Sequence, residues 1–378
     1  MTEVLRRVPG QADATAFLER AAGRPHHAYL FAGPEGSGKQ LAARAFAATL
    51  LCARGGCGDC RDCRLALEDR HPNLLLLEPE GRDIRVGEGP DDDGTARWLV
   101  ARAYLTPPEP GRKVFRLDQA DRMTEEAADV LLKALEEPPQ DTVFLLSSAR
   151  PDEVPETIRS RCQTVTFHPL AEAFVVETLT GEGLDEGRGR VAARLAGGNL
   201  GRARRIAGDP EGLRFRDSAL EARGDARRGD GGALDAADRL LAEAAEYRKR
   251  LAIRLADEMD PFVDPDSGRV LDQYRAAVRR MKERHHRQER RAEREFLDAA
   301  LLALQGWFRD ALLRAVGGEP EWAINLDREV EAVAGADAAR AVEVLEQARA
   351  ALADETNLNP RLVLETAFLN LSPAGTPA

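Results

Sequence analysis

Residues 33 to 40 read Gly33-Pro34-Glu35-Gly36-Ser37-Gly38-Lys39-Gln40, which matches a phosphate-binding loop at every position but the last. In such a loop the glycines let backbone N–H groups wrap phosphates, the lysine reaches the outer phosphates, and a hydroxyl on the next residue ligates magnesium. Gln40 has no hydroxyl. Gly33, Gly36, Ser37, Gly38 and Lys39 therefore offer a cradle without its usual metal ligand: ATP or ADP is what it would take, and the missing hydroxyl argues against tight binding. The second chemical group is a run of cysteines, Cys52, Cys57, Cys60 and Cys63, spaced C-x4-C-x2-C-x2-C. Four thiolates at that spacing suit one tetrahedral zinc, whereas two disulfides so close together would be unusual. Four sulfur ligands leave no open position for water, so the expected zinc is structural. Gly55, Gly56, Gly58 and Asp59 suit the turns that such a knuckle needs. His71 reads as the start of the next strand, not as a fifth ligand. Cys162 stands apart and reads as a small buried residue, since no His with Asp or Asn accompanies it as a nucleophile would require.

The elements around these groups are in the order their chemistry needs. An apolar run, 27–32, precedes the glycine loop and a helix-favouring run, 41–46, follows it, giving strand, loop and helix. Further strands are expected at 74–77, 113–118, 142–148 and 164–167, with helices at 95–104 and 124–137. Thr124 is the expected cap of the latter helix and Pro138-Pro139 its stop. An acidic, glycine-rich stretch from Glu78 to Gly94 reads as a solvated loop. Strands alternating with helices imply a parallel sheet with crossovers, the setting in which a phosphate loop works. Asp118 closes the third strand, followed by Gln119.

From about residue 170 the strand signals stop. Residues 171–206 read as a small helical unit interrupted at 181–189 and 197–198, and long helical patterns follow, separated at 229–232 and 261–268. The stretch 275–294 is densely basic and reads as the solvated face of a long helix. A chain of 378 residues suggests two or three domains, and 43% hydrophobic content makes it globular. The net charge of -11 argues against a protein that grips nucleic acid over its whole surface. No early stretch has a basic start before a long apolar run, and no segment reaches the roughly 18 apolar residues a membrane span needs. The expectation is a soluble, cytoplasmic chain with no membrane partner.

Four segments together, Ala28–Pro34, the four-cysteine insertion, Leu131–Pro139 and Ser160-Arg161-Cys162, resemble the bacterial clamp-loader subunits of the AAA+ class. The resemblance covers about the first 170 residues, with looser matches at Trp307–Asp310 and Asn359–Leu362. It implies an α/β fold: an AAA+ P-loop domain over 1–169 with a parallel sheet and a zinc knuckle inserted at 52–63. A helical lid over 170–208 and an all-α collar over 209–378 would follow. It further implies assembly with the motor ATPase (gamma/tau) and delta subunits, and through the complex with the sliding clamp and primed DNA.

Within that family the departures point to a non-motor subunit. Motor subunits follow the strand-ending acid with a glutamate that orients water; here it is Gln119, which cannot accept a proton as a carboxylate does. Asp121 reads as a surface or capping acid and not as a substitute base. The lid arginine of motor subunits matches Gly201, with Arg202 displaced by one residue and turned by about 100°. Gln40 is the third altered part, so negligible ATP hydrolysis by this chain alone is expected. What the resemblance implies for Arg161 is an arginine finger, reaching a neighbour's γ-phosphate in trans. The alternatives are an active ATPase, either a clamp-loader motor or a related AAA+ remodelling enzyme, and a zinc-dependent nucleic-acid-binding module.

Overall fold

The central strand sequences carry apolar stretches, as strands covered on both faces must. In the computed structural model, which describes residues 2–79, 83–208, 214–257, 275–353 and 359–372, five strands form one parallel sheet: β1 (Ala28–Ala32), β2 (Leu74–Leu77), β3 (Lys113–Leu117), β4 (Thr142–Ser148) and β5 (Gln163–Thr166). Their order is β2-β3-β4-β1-β5. Successive side chains alternate between the faces. Tyr29, Phe31, Val114, Val143, Leu145 and Val165 pack under α1 (Glu3–Arg6), α2 (Ala12–Ala22), α3 (Lys39–Leu51) and α4 (Arg61–Leu67). Leu30, Phe115, Leu117, Phe144 and Leu146 pack against α5 (Ala96–Tyr104), α6 (Glu125–Glu136) and α7 (Glu156–Arg159).

The threonines expected to start helices do so. Thr95 accepts from the Trp98 N–H and Thr124 from the Ala127 N–H, each cap contributing about 1 kcal/mol. The acidic 78–94 stretch is less solvated than its composition suggests. Within it Ile84 is buried and forms a parallel bridge with Met123.

By its contacts the chain divides into Met1–Arg204 and Arg205–Ala378. After the sheet come α8 (Glu172–Gly181), α9 (Glu186–Ala196) and α10 (Leu200–Gly208). The break expected at 181–189 is shorter, because Gly187 and Gly189 lie inside α9, whose tertiary contacts outweigh their low helix propensity. Among the described residues the regular elements of the second unit are helices, the longer ones being α11 (Arg214–Ala226), α12 (Asp230–Asp257), α13 (Arg275–Ala315), α14 (Gly335–Ala353) and α15 (Pro360–Leu371). Gly231 and Gly232, expected in a break, lie in the first turn of α12. Leu240, Leu297, Leu301, Leu304, Trp307 and Phe368 are core side chains of this unit. Arg216 is buried there, donating to Asp327 at 2.9 and 2.8 Å and to Asn325 at 2.8 Å. The expected separator 261–268 and most side chains of 275–294 lie outside the described residues; His285 is buried. Among the described residues no helix is long and apolar enough to cross a membrane.

Candidate functional site

The glycine loop joins β1 to α3, and its backbone explains its composition. Gly36 and Gly38 take φ of +74° and +88°, which residues with a β-carbon rarely adopt. Gly36 is needed for space as well: a β-carbon there would lie 1.9 Å from Cγ of Asn199. Asn199 in turn caps α10, its Oδ1 accepting from the Arg202 N–H at 2.9 Å. The loop is held from its other side by the buried Gln11, whose Nε2 donates to the carbonyls of Ser37 (2.9 Å) and His168 (2.7 Å). Ser37 is fully buried. Lys39 is buried and its Nζ donates to the Pro34 carbonyl at 3.1 Å. Burial pushes Lys39 down from its ordinary pKa, against the pull of Glu35, Asp121 and Asp118. An open cavity of about 420 Å³ beside Gln11, lined also by Gly10, Phe17, Thr164 and His168, includes none of residues 33–40.

Magnesium chemistry at this loop would use residue 40 and the acid at the end of β3. Gln40 is exposed. Asp118 is 3% exposed and its oxygens are engaged: Arg116 Nη2 donates to Oδ2 at 2.9 Å and Oδ1 at 3.1 Å, and Ser147 Oγ donates to Oδ1 at 3.0 Å. Arg116 is wholly buried and also pairs with Asp69, which Arg44 Nε meets at 2.7 Å. These residues do not fit a magnesium ion in the usual way. Gln119 takes φ of +57°, and its Oε1 is buried without a hydrogen-bond partner. Asp121 is not the surface acid its position suggested: its side chain is 5% exposed, accepting from Ser148 Oγ at 2.6 Å and Arg150 Nη2 at 3.3 Å.

Gly201 is exposed, and a β-carbon there would meet only Asn199 Oδ1 at 3.5 Å, an ordinary contact. The fold leaves room for a side chain at this position. Arg161 follows α7 and is about one-third exposed. Its Nη1 donates to the Thr157 carbonyl at 2.9 Å, and its Nη2 pairs with Glu136 of α6. Cys162 is packed against the core, and burial pushes its thiol up to about 12, which makes it a poor nucleophile.

The four cysteines converge. Cys52 caps the C-terminus of α3, Cys60 caps the N-terminus of α4, and Cys63 lies in the first turn of α4. The Sγ atoms of Cys52 are 3.8 Å from Cys57 and 3.6 Å from Cys60, and Cys57 is 3.9 Å from Cys63. Sulfurs about 2.3 Å from a tetrahedral zinc are about 3.8 Å apart, so the donor set fits. All four are free of disulfides. Burial pushes the Cys52 thiol up, but the N–H groups of Cys57, Gly56 and Arg54 outweigh it and lower it to about 6. The backbone thus favours a thiolate at Cys52, whereas the contact with Asp59 pushes the Cys57 thiol up and burial pushes the Cys63 thiol up. A second group, Asp62, His71 and Glu109, also comes within 4.8 Å. Its chemistry is different. His71 Nδ1 accepts from the Asn73 N–H at 3.1 Å, which puts the ring proton on Nε2, 3.7 Å from Asp62. Glu109 is held by Arg61 at 2.9 and 3.1 Å. His71 therefore presents a proton and not a lone pair to Asp62.

The glycine loop after the first strand, with the strand order β2-β3-β4-β1-β5, defines a P-loop α/β domain. Comparison with known proteins narrows this. Residues 10–171 match the family described as DNA polymerase III, delta subunit. The DNA polymerase III subunit delta-prime of Bacillus subtilis is 35% identical over 175 residues, 46% of this chain and 51% of that protein. Its counterpart in Pseudomonas aeruginosa is 44% identical over 142 residues, 36% of this chain and 41% of that one. The gamma/tau subunit of Mycobacterium tuberculosis is 37% identical over 169 residues, 43% of this chain and 28% of that protein. The similarity to delta-prime subunits thus lies in the N-terminal part of the chain, and the chain spans about half the length of the delta-prime relatives it matches.

The sequence pattern anticipated the glycine loop between β1 and α3 and the convergence of the four cysteines. It did not anticipate Arg116, Asn199 or Gln11. The available signal for Arg116 was a cation between the apolar residues Phe115 and Leu117, two residues before Asp118 and therefore on the same face.

Proposed function

We propose that this chain is the non-motor, delta-prime-type subunit of a bacterial clamp loader, helping to place a sliding clamp on primed DNA. It does so as a rigid partner that lends Arg161 to a neighbouring ATPase subunit. The observation that carries this reading is a contrast within one chain. The three hydrolytic positions hold Gln40, Gln119 and Gly201, while Arg161 remains partly exposed after α7. In this reading residues 170–208 act as the lid and 209–378 as a collar that packs with related subunits, the gamma/tau ATPase and delta among them. Cys52, Cys57, Cys60 and Cys63 hold one structural zinc that cross-links the end of α3 to α4. Because zinc thiolate sites supply binding free energy on the order of 10 kcal/mol, the metal would dominate the stability of so small a module.

The test is a rebuilt complex carrying Arg161→Ala. Folding, zinc content and assembly should be unchanged, while stimulated ATP hydrolysis at the neighbour's site falls by roughly a thousandfold, the usual contribution of an arginine in trans. Arg161→Lys should rescue only partly, since an ammonium cannot reproduce the paired contacts of a guanidinium. Full activity of the alanine variant would remove the trans role. The similarity to gamma/tau favours a second reading, an active ATPase. Steady ATP turnover by the isolated chain, lost on Lys39→Ala, would select that reading.

A further inference from the structure

The carboxylate of Asp118 lies where a phosphate loop keeps an acid for its divalent cation, yet it already has a cation. We propose that Arg116 takes the place of the divalent metal at Asp118, so that the loop at 33–39 is a metal-indifferent site for a nucleoside diphosphate or similar polyphosphate. This rests on the reading of residues 33–39 as a phosphate cradle.

Several observations converge on it. The Arg116 guanidinium contacts both oxygens of Asp118, and Ser147 occupies a further lone pair of Oδ1. Strand register imposes this: Leu117 lies opposite Leu146, which sets Asp118 beside Ser147. Arg116 is anchored at its other end by Asp69, and Asp69 by Arg44. It is wholly buried, so moving it out of the way would break two ion pairs at once. The charges of Arg44 and Arg116 balance those of Asp69 and Asp118 before any metal arrives, so a divalent ion would meet a neutral group and an adjacent guanidinium. Burial works against the charge on Arg116, but the Asp118 and Asp69 carboxylates outweigh it and hold its pKa above the ordinary value. The residue after the loop lysine, which would complete a metal site, is Gln40.

The experiment measures ADP binding by calorimetry to the full-length, zinc-loaded chain in magnesium-free and magnesium-containing buffer. Chelators are avoided because they would strip the knuckle. Manganese binding is followed in parallel by electron paramagnetic resonance, with and without ADP. The unmodified chain and Gln40→Thr should bind ADP with affinities that change less than about twofold on adding magnesium, and should show no manganese signal that depends on Asp118. Gln40→Thr with Arg116→Met should gain at least about tenfold in ADP affinity from magnesium, about 1.4 kcal/mol, and lose that gain when Asp118→Asn is added. A manganese signal in the unmodified chain that Asp118→Asn abolishes would overturn the proposal. So would a double variant with native helicity and zinc content that gains nothing from magnesium. If the double variant does not fold, the comparison of the unmodified chain with Asp118→Asn still decides. If ADP binds to none of these proteins, the phosphate-cradle reading fails, and the manganese comparison judges Arg116 separately.

Discussion

The Asn199 side chain rests directly on Gly36, filling the space where a β-carbon at residue 36 would stand. The same carboxamide caps α10, so one side chain joins the phosphate loop to the last helix of its region. Asn199→Ala should cost about 1 kcal/mol through the lost cap. Gly36→Ala should cost more, because it combines a collision with a left-handed backbone. In the double variant the collision is relieved and only the backbone strain persists, so the two changes should be less than additive. Denaturant unfolding of the four proteins checks this, and simple additivity would show that the contact carries no energy.

Zinc analysis of protein purified without chelator should give one equivalent. Changing any of Cys52, Cys57, Cys60 or Cys63 to Ser should lower zinc occupancy, and metal withdrawal should expose the knuckle to proteolysis while leaving the helices of the second unit protected. A chain with no zinc and an intact knuckle would count against the site.

Arg161 and Glu136 form an exposed pair, and such pairs contribute about 0 to 1 kcal/mol. Glu136→Ala should therefore barely change stability and should leave the stimulated ATPase of a rebuilt complex near normal. If Arg161 served only as a partner for Glu136, the two alanine variants would behave alike in that assay.

In the second unit Arg216→Ala should cost about 3 kcal/mol, the lower end for breaking a buried pair, since Asp327 is 39% exposed. Burial pushes the Asp327 carboxyl up, but Arg216 outweighs this and leaves it below its ordinary value of 3.8. A depressed folded pKa contributes stability that is present above the unfolded value and lost as pH falls through the folded one. The penalty of Arg216→Ala should accordingly be full at neutral pH and shrink in acid below the ordinary carboxylate range. An unchanged penalty in strong acid would show that packing, not charge, sets it.

The strands, the phosphate loop and the knuckle were legible because each is specified by residues close together in the chain. Leu74–Leu77 and Thr142–Ser148 appear as strands at the expected bounds, since a sheet covered on both faces favours apolar runs such as Leu74–Leu77 and 143–146. Arg116 was not legible, because its meaning depends on Asp69, in the turn after α4, and on Asp118, which register sets beside Ser147 of the neighbouring strand, and only the tertiary fold brings these together. Asp121 misled for the same reason: its partner Ser148 is on β4, not in its own turn. The helix breaks at Gly187 and Gly231 were overdrawn because local propensity was outweighed by packing.

Helix α3 begins at Lys39 and is capped at its far end by Cys52, so one strut of thirteen residues, about 20 Å at roughly 1.5 Å per residue, runs from the phosphate loop to the cysteine cluster. The Cys52 N–H closes its last turn on the Ala48 carbonyl. With a metal held by the four thiols, fraying of that turn would be governed by a cross-link and not by the helix alone. Amide hydrogen exchange along α3 would fall off in one direction only, slow at 48–52 with metal bound and fast there once the thiols are released. The amides near Lys39, fixed through Gln11 and Asn199 at the other end, would keep their rates.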